Sequence, residues 1–174
     1  MRSGTRLATT LAALLVLAAG AAGDRLAPAR PAFGQPHASQ PAGIQGAVVR
    51  VVDGDTIHVR VGGRVEKVRY IGVDTPEIRH PQRGEEPGGR EAMALNRRLV
   101  EGKTVRLELD VRSRDRHGRL LAYVWVGETM INAELVRQGY AQVMTVPPNV
   151  RHQDLFLRLQ RAARHEGRGL WKRA

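Results

Sequence analysis

Ala47-Val48-Val49-Arg50-Val51-Val52, then Asp53-Gly54, then Asp55-Thr56-Ile57-His58-Val59-Arg60-Val61 reads as two β-strands joined by a tight turn. The first run is apolar and largely β-branched, and Asp-Gly is a strong turn dipeptide. The second run alternates Ile57, Val59 and Val61 with Thr56, His58 and Arg60, which buries one face and wets the other. Gly62-Gly63 turns the chain again into a third strand, Arg64 to Val73, which carries Val65, Val68, Tyr70 and Ile71 and runs into Asp74-Thr75-Pro76-Glu77. If these strands pair, up to four carboxylates (Asp53, Asp55, Asp74 and Glu77) gather at one end of a sheet. Hard oxygen ligands of this kind suit Ca²⁺ or Mg²⁺ and disfavour zinc. Taken singly, Asp53-Gly54 is an ordinary turn and the second cluster a turn before a loop.

Downstream, Pro76 ends strand pairing, and Ile78 to Gly88, with Pro81, Gly84 and Pro87, forms an exposed loop. A helix follows from Gly89 to Glu101, with Ala92, Leu95 and Leu99 on one face and Gly102 closing it. Thr104 to Asp110 alternates Val105, Leu107 and Leu109 with charged residues and is a fourth strand; Leu120 to Val126 is a fifth. Between them lies a charged turn, Arg112 to Arg119. Asn132 is expected to cap a short helix through Gln138. After a loop from Thr145 to Val150, a last helix from His152 to Glu166 should bury Leu155, Leu159 and Ala162, with Trp171 packing the C-terminus down. Three strands, a helix, two strands and further helices is the element order of an α+β protein built on a five-stranded OB-fold β-barrel with about three α-helices.

Upstream of the barrel, Arg2 and Arg6 precede an apolar run from Leu7 to about Gly20 and a small-residue stretch, the pattern of a secretory signal peptide over residues 1–22. The run is short for a membrane span, which needs roughly 20 apolar residues. Residues 23–43 are rich in Pro, Ala, Gly and Gln without periodicity and read as a flexible linker, leaving residues 44–174 as the folded domain. The expected location is therefore secreted, extracellular or periplasmic, with no stable membrane partner after cleavage, and the expected state is a monomer.

Net charge is +11, and loss of residues 1–22 removes Arg2 and Arg6 and no acid, so it falls only to +9. A polyanion is the favoured partner, nucleic acid before an anionic membrane surface. No long amphipathic element with exposed large apolar residues supports the membrane reading. The chain has no cysteine, and its six histidines show no His-Glu-x-x-His spacing, which argues against a zinc hydrolase. All but three of the 28 basic residues are arginine. A guanidinium fork holds two phosphate oxygens and keeps its charge, so a phosphoryl-transfer site would use it. Spacing alone does not choose among Arg69, Arg112, Arg114, Arg116 and Arg119.

Six motifs occur in a fixed order: Val52-Asp53-Gly54-Asp55-Thr56, Arg69, Val73-Asp74-Thr75-Pro76-Glu77, His80-Pro81, Asp115 with Gly118-Arg119 and Leu121-Ala122-Tyr123, and Leu135-Val136-Arg137-Gln138-Gly139. In this the segment from Val48 to Trp171 resembles the thermonuclease, or staphylococcal nuclease-like, family. The resemblance implies a Ca²⁺-dependent OB-fold nuclease that hydrolyses DNA and RNA and leaves 3′-phosphate ends. By the same resemblance, Asp55, Asp74 and the Thr75 carbonyl look like metal ligands, with Asp53 as a supporting acid. Glu77 looks like the general base, Arg69 and Arg119 the phosphate-clamping pair, and Arg116 a basic residue near the terminal phosphate. His117 and Thr145 stand where tyrosines would stack on the base, a departure that touches base affinity and not the scissile phosphate. The rival reading is a non-catalytic OB module that binds nucleic acid by charge alone; such a module has no use for an acid such as Glu77 beside phosphates.

Overall fold

In the computed structural model the described residues are 43–78, 82 and 84–172. The expected signal peptide, nearly all of the expected linker and the His80-Pro81 motif lie outside them. The expected strands and helices are present: β1 (Ile44–Val51), β2 (Thr56–Val61), β3 (Arg64–Tyr70), α1 (Gly89–Val100), β5 (Thr104–Glu108), β6 (Leu120–Val126), α2 (Ile131–Arg137) and α3 (Gln153–His165). Three two-residue strands, β4 (Val73–Asp74), β7 (Thr129–Met130) and β8 (Gln142–Val143), are too short to leave a periodic signal in the sequence.

The sheet order is β3-β2-β1-β5-β6-β7, and a further parallel pairing of β3 with β6 closes the first five strands into a barrel. Inside it, Ile57, Val59, Val68, Val105, Leu107, Ala122 and Val124 are fully buried. Ile57, Val59, Val105 and Leu107 are among the residues that the period-2 reading assigned inward, as the pleat requires, whereas Val61 and Leu109, assigned with them, are only half-buried. Each fully buried valine, leucine or isoleucine, taken out of water, contributes about 1.5–3 kcal/mol before ordering costs.

Several details depart from the sequence reading. The third strand ends at Tyr70; the chain turns at Gly72 and resumes as β4, which pairs with β8. Asn132 does not cap α2, since the N-cap is Met130; instead its buried side chain accepts from the Val124 amide and donates to the Ile71 carbonyl. On α3 the buried residues are Phe156 and Ala163, with Leu155 and Leu159 half-buried and Ala162 exposed, so the buried stripe is turned by one residue. Phe156 takes the centre because it meets Tyr123 and His152 ring to ring. Trp171 is half-buried in a short 3₁₀ turn, with Arg164 stacked over its ring at 4.2 Å.

Candidate active site

The turn between β1 and β2 is built around Gly54, and the reason is proximity: a Cβ there would lie 2.6 Å from Thr75 Oγ1 and 2.7 Å from Thr75 Cβ. Only glycine lets the β1–β2 turn and the segment after β4 come this close. Asp53 Oδ1 accepts the Asp55 amide at 3.1 Å and so shapes the turn. Across the contact, Asp55 Oδ2 accepts both the Thr75 amide at 2.9 Å and the Thr75 hydroxyl at 3.1 Å. Two acidic motifs 20 residues apart are thereby locked into one corner.

Arg69 crosses that corner. Its Nη1 lies 3.1 Å from Asp55 Oδ2 and also donates to the carbonyls of Tyr70 and Val73. Its Nη2 donates to Asp74 Oδ1 at 2.8 Å. Burial pushes the Asp55 carboxyl well above the ordinary carboxylate range; Arg69 opposes this, the nearby Asp53 charge reinforces it, and the hydrogen bonds from Thr75 and Thr56 offset it in part. Asp55 is thus a buried acid that its surroundings leave short of positive charge. Asp74 is different: its side chain is 55% exposed and opens to solvent.

The four-carboxylate cage is not formed. Among the described residues no group of three or more acidic, histidine or cysteine side chains is disposed to hold a metal. Glu77 is exposed, and its amide donates to Glu86 Oε2 at 2.9 Å, tying the strand end to the loop. What converges instead is a sparser oxygen set, Asp55 and Asp74 with Thr75 beside them. Its chemistry fits a hard cation that keeps much of its own hydration, and the charge deficit at Asp55 is what such an ion would fill.

On the other side of Arg69 a cavity of about 360 Å³ opens, lined by Arg69, Arg112, Arg116 and Arg119, with Asp115, His117 and an apolar wall that includes Leu121, Met144 and Val146. The parallel pairing of β3 with β6 makes this possible, because it aligns Arg69 with Leu121 and brings the segment that holds Arg119 alongside. Asp115 organises that segment: Oδ1 accepts the amides of His117 and Arg119, and Oδ2 takes Arg119 Nε at 2.6 Å. Hydrogen bonds from the Arg119 side chain and these amides outweigh burial and hold the Asp115 carboxyl below its usual range. Four of the five candidate arginines, Arg69, Arg112, Arg116 and Arg119, line this cavity. Arg114 turns away from the cavity and pairs with Glu66 and the Gly118 carbonyl.

Arg116 Nε donates to His117 Nε2 at 3.0 Å, which holds the ring against the guanidinium. Thr145 does not line the cavity; its neighbours Met144 and Val146, 42% and 53% exposed, do. Three asparagines, unassigned or misassigned in the sequence, complete the frame. Fully buried Asn96 on α1 accepts the Tyr70 hydroxyl and donates to the Asp53 carbonyl, pinning the acidic turn to the helix. Asn149 accepts the Arg112 amide and donates to the Arg112 carbonyl, both at 2.8 Å. Asn132 ties β6 to the Gly72 turn. The one signal in sequence was Asn96, a polar residue beside the apolar stripe of Leu95 and Leu99.

A family model described as Staphylococcal nuclease homologue matches residues 67–173. The chain belongs to the staphylococcal nuclease family. It is 40% identical over 124 residues to a thermonuclease of Staphylococcus hyicus, covering 71% of this chain and 73% of that one. It is likewise 40% identical over 126 residues to a thermonuclease of Staphylococcus intermedius, covering 72% and 75%. Endonuclease YncB of Bacillus subtilis is 35% identical over 144 residues, covering 81% of this chain and 68% of its own. As a member of this family the chain is a hydrolase of the nuclease type, and its barrel and helices are the α+β, OB-like fold of that family.

Proposed function

We propose that this protein is a secreted, Ca²⁺-dependent endonuclease that hydrolyses both DNA and RNA and leaves 3′-phosphate ends. The observation that carries the reading is that Arg69 joins the Asp55–Thr75–Asp74 corner to the cavity it shares with Arg119. In this reading Asp55, Asp74 and the Thr75 carbonyl hold the ion, and Asp53 supports it by fixing the Asp55 backbone. When bound, the ion supplies positive charge to a phosphate oxygen and to the site's excess of carboxylate. Arg69 and Arg119 bind the scissile phosphate from two sides, and their charge offsets the charge that gathers on its equatorial oxygens. Glu77 takes a proton from the attacking water as the water oxygen bonds to phosphorus. The bond from phosphorus to the 5′-oxygen breaks, leaving a 3′-phosphate and, once that oxygen takes up a proton, a 5′-hydroxyl. The apolar wall of Met144 and Val146, with His117 held by Arg116, receives the base without an aromatic platform, which lowers base affinity, since stacking is worth roughly 1–3 kcal/mol.

Residues 1–22 act as the signal peptide and 23–43 as a linker to a monomeric domain, 44–174. The test is digestion of DNA and RNA with Ca²⁺, with Mg²⁺ and with EDTA, with product ends probed by kinase labelling before and after phosphatase. Cleavage with Ca²⁺ that yields 3′-phosphates is expected; binding without hydrolysis under every condition would overturn the reading.

A further inference from the structure

The outer face of the first three strands continues directly from the acidic corner. Thr56 and Arg69 are directly paired across β2 and β3, and two residues further along the same face His58 pairs with Lys67 on one side and with Arg50 of β1 on the other. Beyond that, Arg60 pairs with Ala47 and with Val65. Same-face rungs are about 7 Å apart, so a basic row three strands wide lies one step from Arg69, and Arg60 one step further.

Two features make this row more than a solvated surface. Arg50 and Lys67 flank His58 from the two neighbouring strands, so two cations stand on either side of one imidazole with no acid between them. None of Arg50, His58, Arg60 and Lys67 forms an ion pair among the described residues, while the one acid of β3, Glu66, is engaged by Arg114. The second feature is the backbone. The β1–β2 register slips between Val48 and Arg50, a bulge that leaves both Val49 and Arg50 exposed. Without that extra residue, Arg50 would follow the alternation set by Val48 and point inward. Bulges commonly re-aim a side chain in this way beside functional sites. Burial and the charges of Lys67 and Arg50 also depress the His58 imidazole, as expected for a site that concentrates positive potential.

We propose that Arg50, Lys67 and Arg60, with His58 between them, form a second, non-catalytic surface that binds the phosphate backbone of a nucleic-acid strand passing through the Arg69 site. This rests on the nuclease reading above, which sets the scissile phosphate at Arg69. The surface engages phosphates and not bases, because it offers cationic heads beside small or aliphatic neighbours, Ala47, Val49 and Val65, and no Phe, Tyr or Trp ring among its described residues. It acts on longer strands only, since a dinucleotide with a single phosphate has that phosphate at Arg69 and Arg119 and none left for the row.

The test compares the unaltered protein with R50Q/R60Q/K67Q and with R98Q/R158Q/R161Q, a triple variant that removes the same charge from exposed helix positions. Binding of a single strand of roughly 20 nucleotides is measured by fluorescence anisotropy in EDTA over a range of salt concentrations. Losing three phosphate contacts should make the log–log salt slope shallower by about 2 and weaken binding roughly tenfold at low salt, whereas the helix variant keeps the original slope. With Ca²⁺, R50Q/R60Q/K67Q should cleave the long strand with a raised KM and a dinucleotide with unchanged kcat/KM. An unchanged salt slope, an equal change in the helix variant, or an equal loss on the dinucleotide overturns the surface. Failure of the unaltered protein to cleave either substrate overturns the nuclease site instead, and the anisotropy slopes are read without any cleavage.

Discussion

Asp55 and Glu108 are both largely shielded from water and both meet an arginine: Asp55 Oδ2 lies 3.1 Å from Arg69 Nη1, and Glu108 Oε1 lies 2.8 Å from Arg151 Nη1. Burial raises the carboxyl in each case, but the balance differs. Around Glu108, hydrogen bonds from Arg151, His152 and Trp125 Nε1 together outweigh burial and hold its carboxyl below the ordinary range. Asp110 beside it is likewise lowered, because the Arg151 and Val111 amides and the Tyr123 hydroxyl outweigh burial. At Asp55 burial prevails, since Arg69 divides its donors among two carboxylates and two carbonyls. The Glu108 cluster is a finished structural joint between β5, β6 and the start of α3. The Asp55 corner is left short of positive charge, as a site that takes up a cation would be.

The comparison can be broken most decisively on the catalytic side. Replacing Glu77 or Arg119 by alanine should lower the rate of DNA cleavage by about 10²–10³ while circular dichroism stays native. Near-normal plasmid nicking by either folded variant would remove these residues from the site. The converse change is Glu108→Gln, which takes the acid from His152 and leaves Arg151 with Asp110 alone. It should cost about 1.5–3 kcal/mol in urea unfolding with little change in kcat. A loss of rate without loss of stability would mean that the two clusters have been assigned the wrong way round.

Acid sharpens the same contrast with a smaller effect. Glu108 and Asp110 have folded-state values below their unfolded ones, so the stability they contribute is complete above the ordinary carboxylate range. It is lost as pH falls through their depressed folded values. Unfolding midpoints should therefore drop on acidification from pH 5 toward about pH 3, and Glu108→Gln should flatten that decline. The smallest effect is expected at Arg114, whose ion pair with Glu66 lies on the surface and outside the cavity. Arg114→Ala should leave both the stability and the cleavage rate close to those of the unaltered protein. A large rate loss there would contradict the division of the five arginines.

Most strands and helices were legible because their signals are local. Val105 and Leu107 alternate, Ala92 and Leu95 recur at helical spacing, and Asp53-Gly54 turns the chain wherever it occurs. The acidic motifs and the arginine set could also be read as candidates. Less visible was how they are satisfied, because the partners are distant in the chain. Asn96 reaches the Asp53 carbonyl across 43 residues, and Asn149 reaches Arg112 across 37. Asn132 looked like a cap because Asn commonly is one, but a buried amide that bonds β6 to the turn after β3 satisfies more orphaned backbone than a cap would.

By itself the sequence determined a basic chain with a five-stranded barrel, two acidic motifs at strand ends and a family resemblance in six ordered motifs. Those follow from side-chain period, turn chemistry and residue type, all fixed within a few neighbouring positions. Only the tertiary structure decided that Arg69 divides itself between Asp55 and Asp74, that Arg119 and not Arg114 shares its cavity, and that Arg50 is turned outward into a row with His58 and Lys67. The physical reason is that charge compensation depends on which groups meet through space, and barrel closure between β3 and β6 sets those meetings.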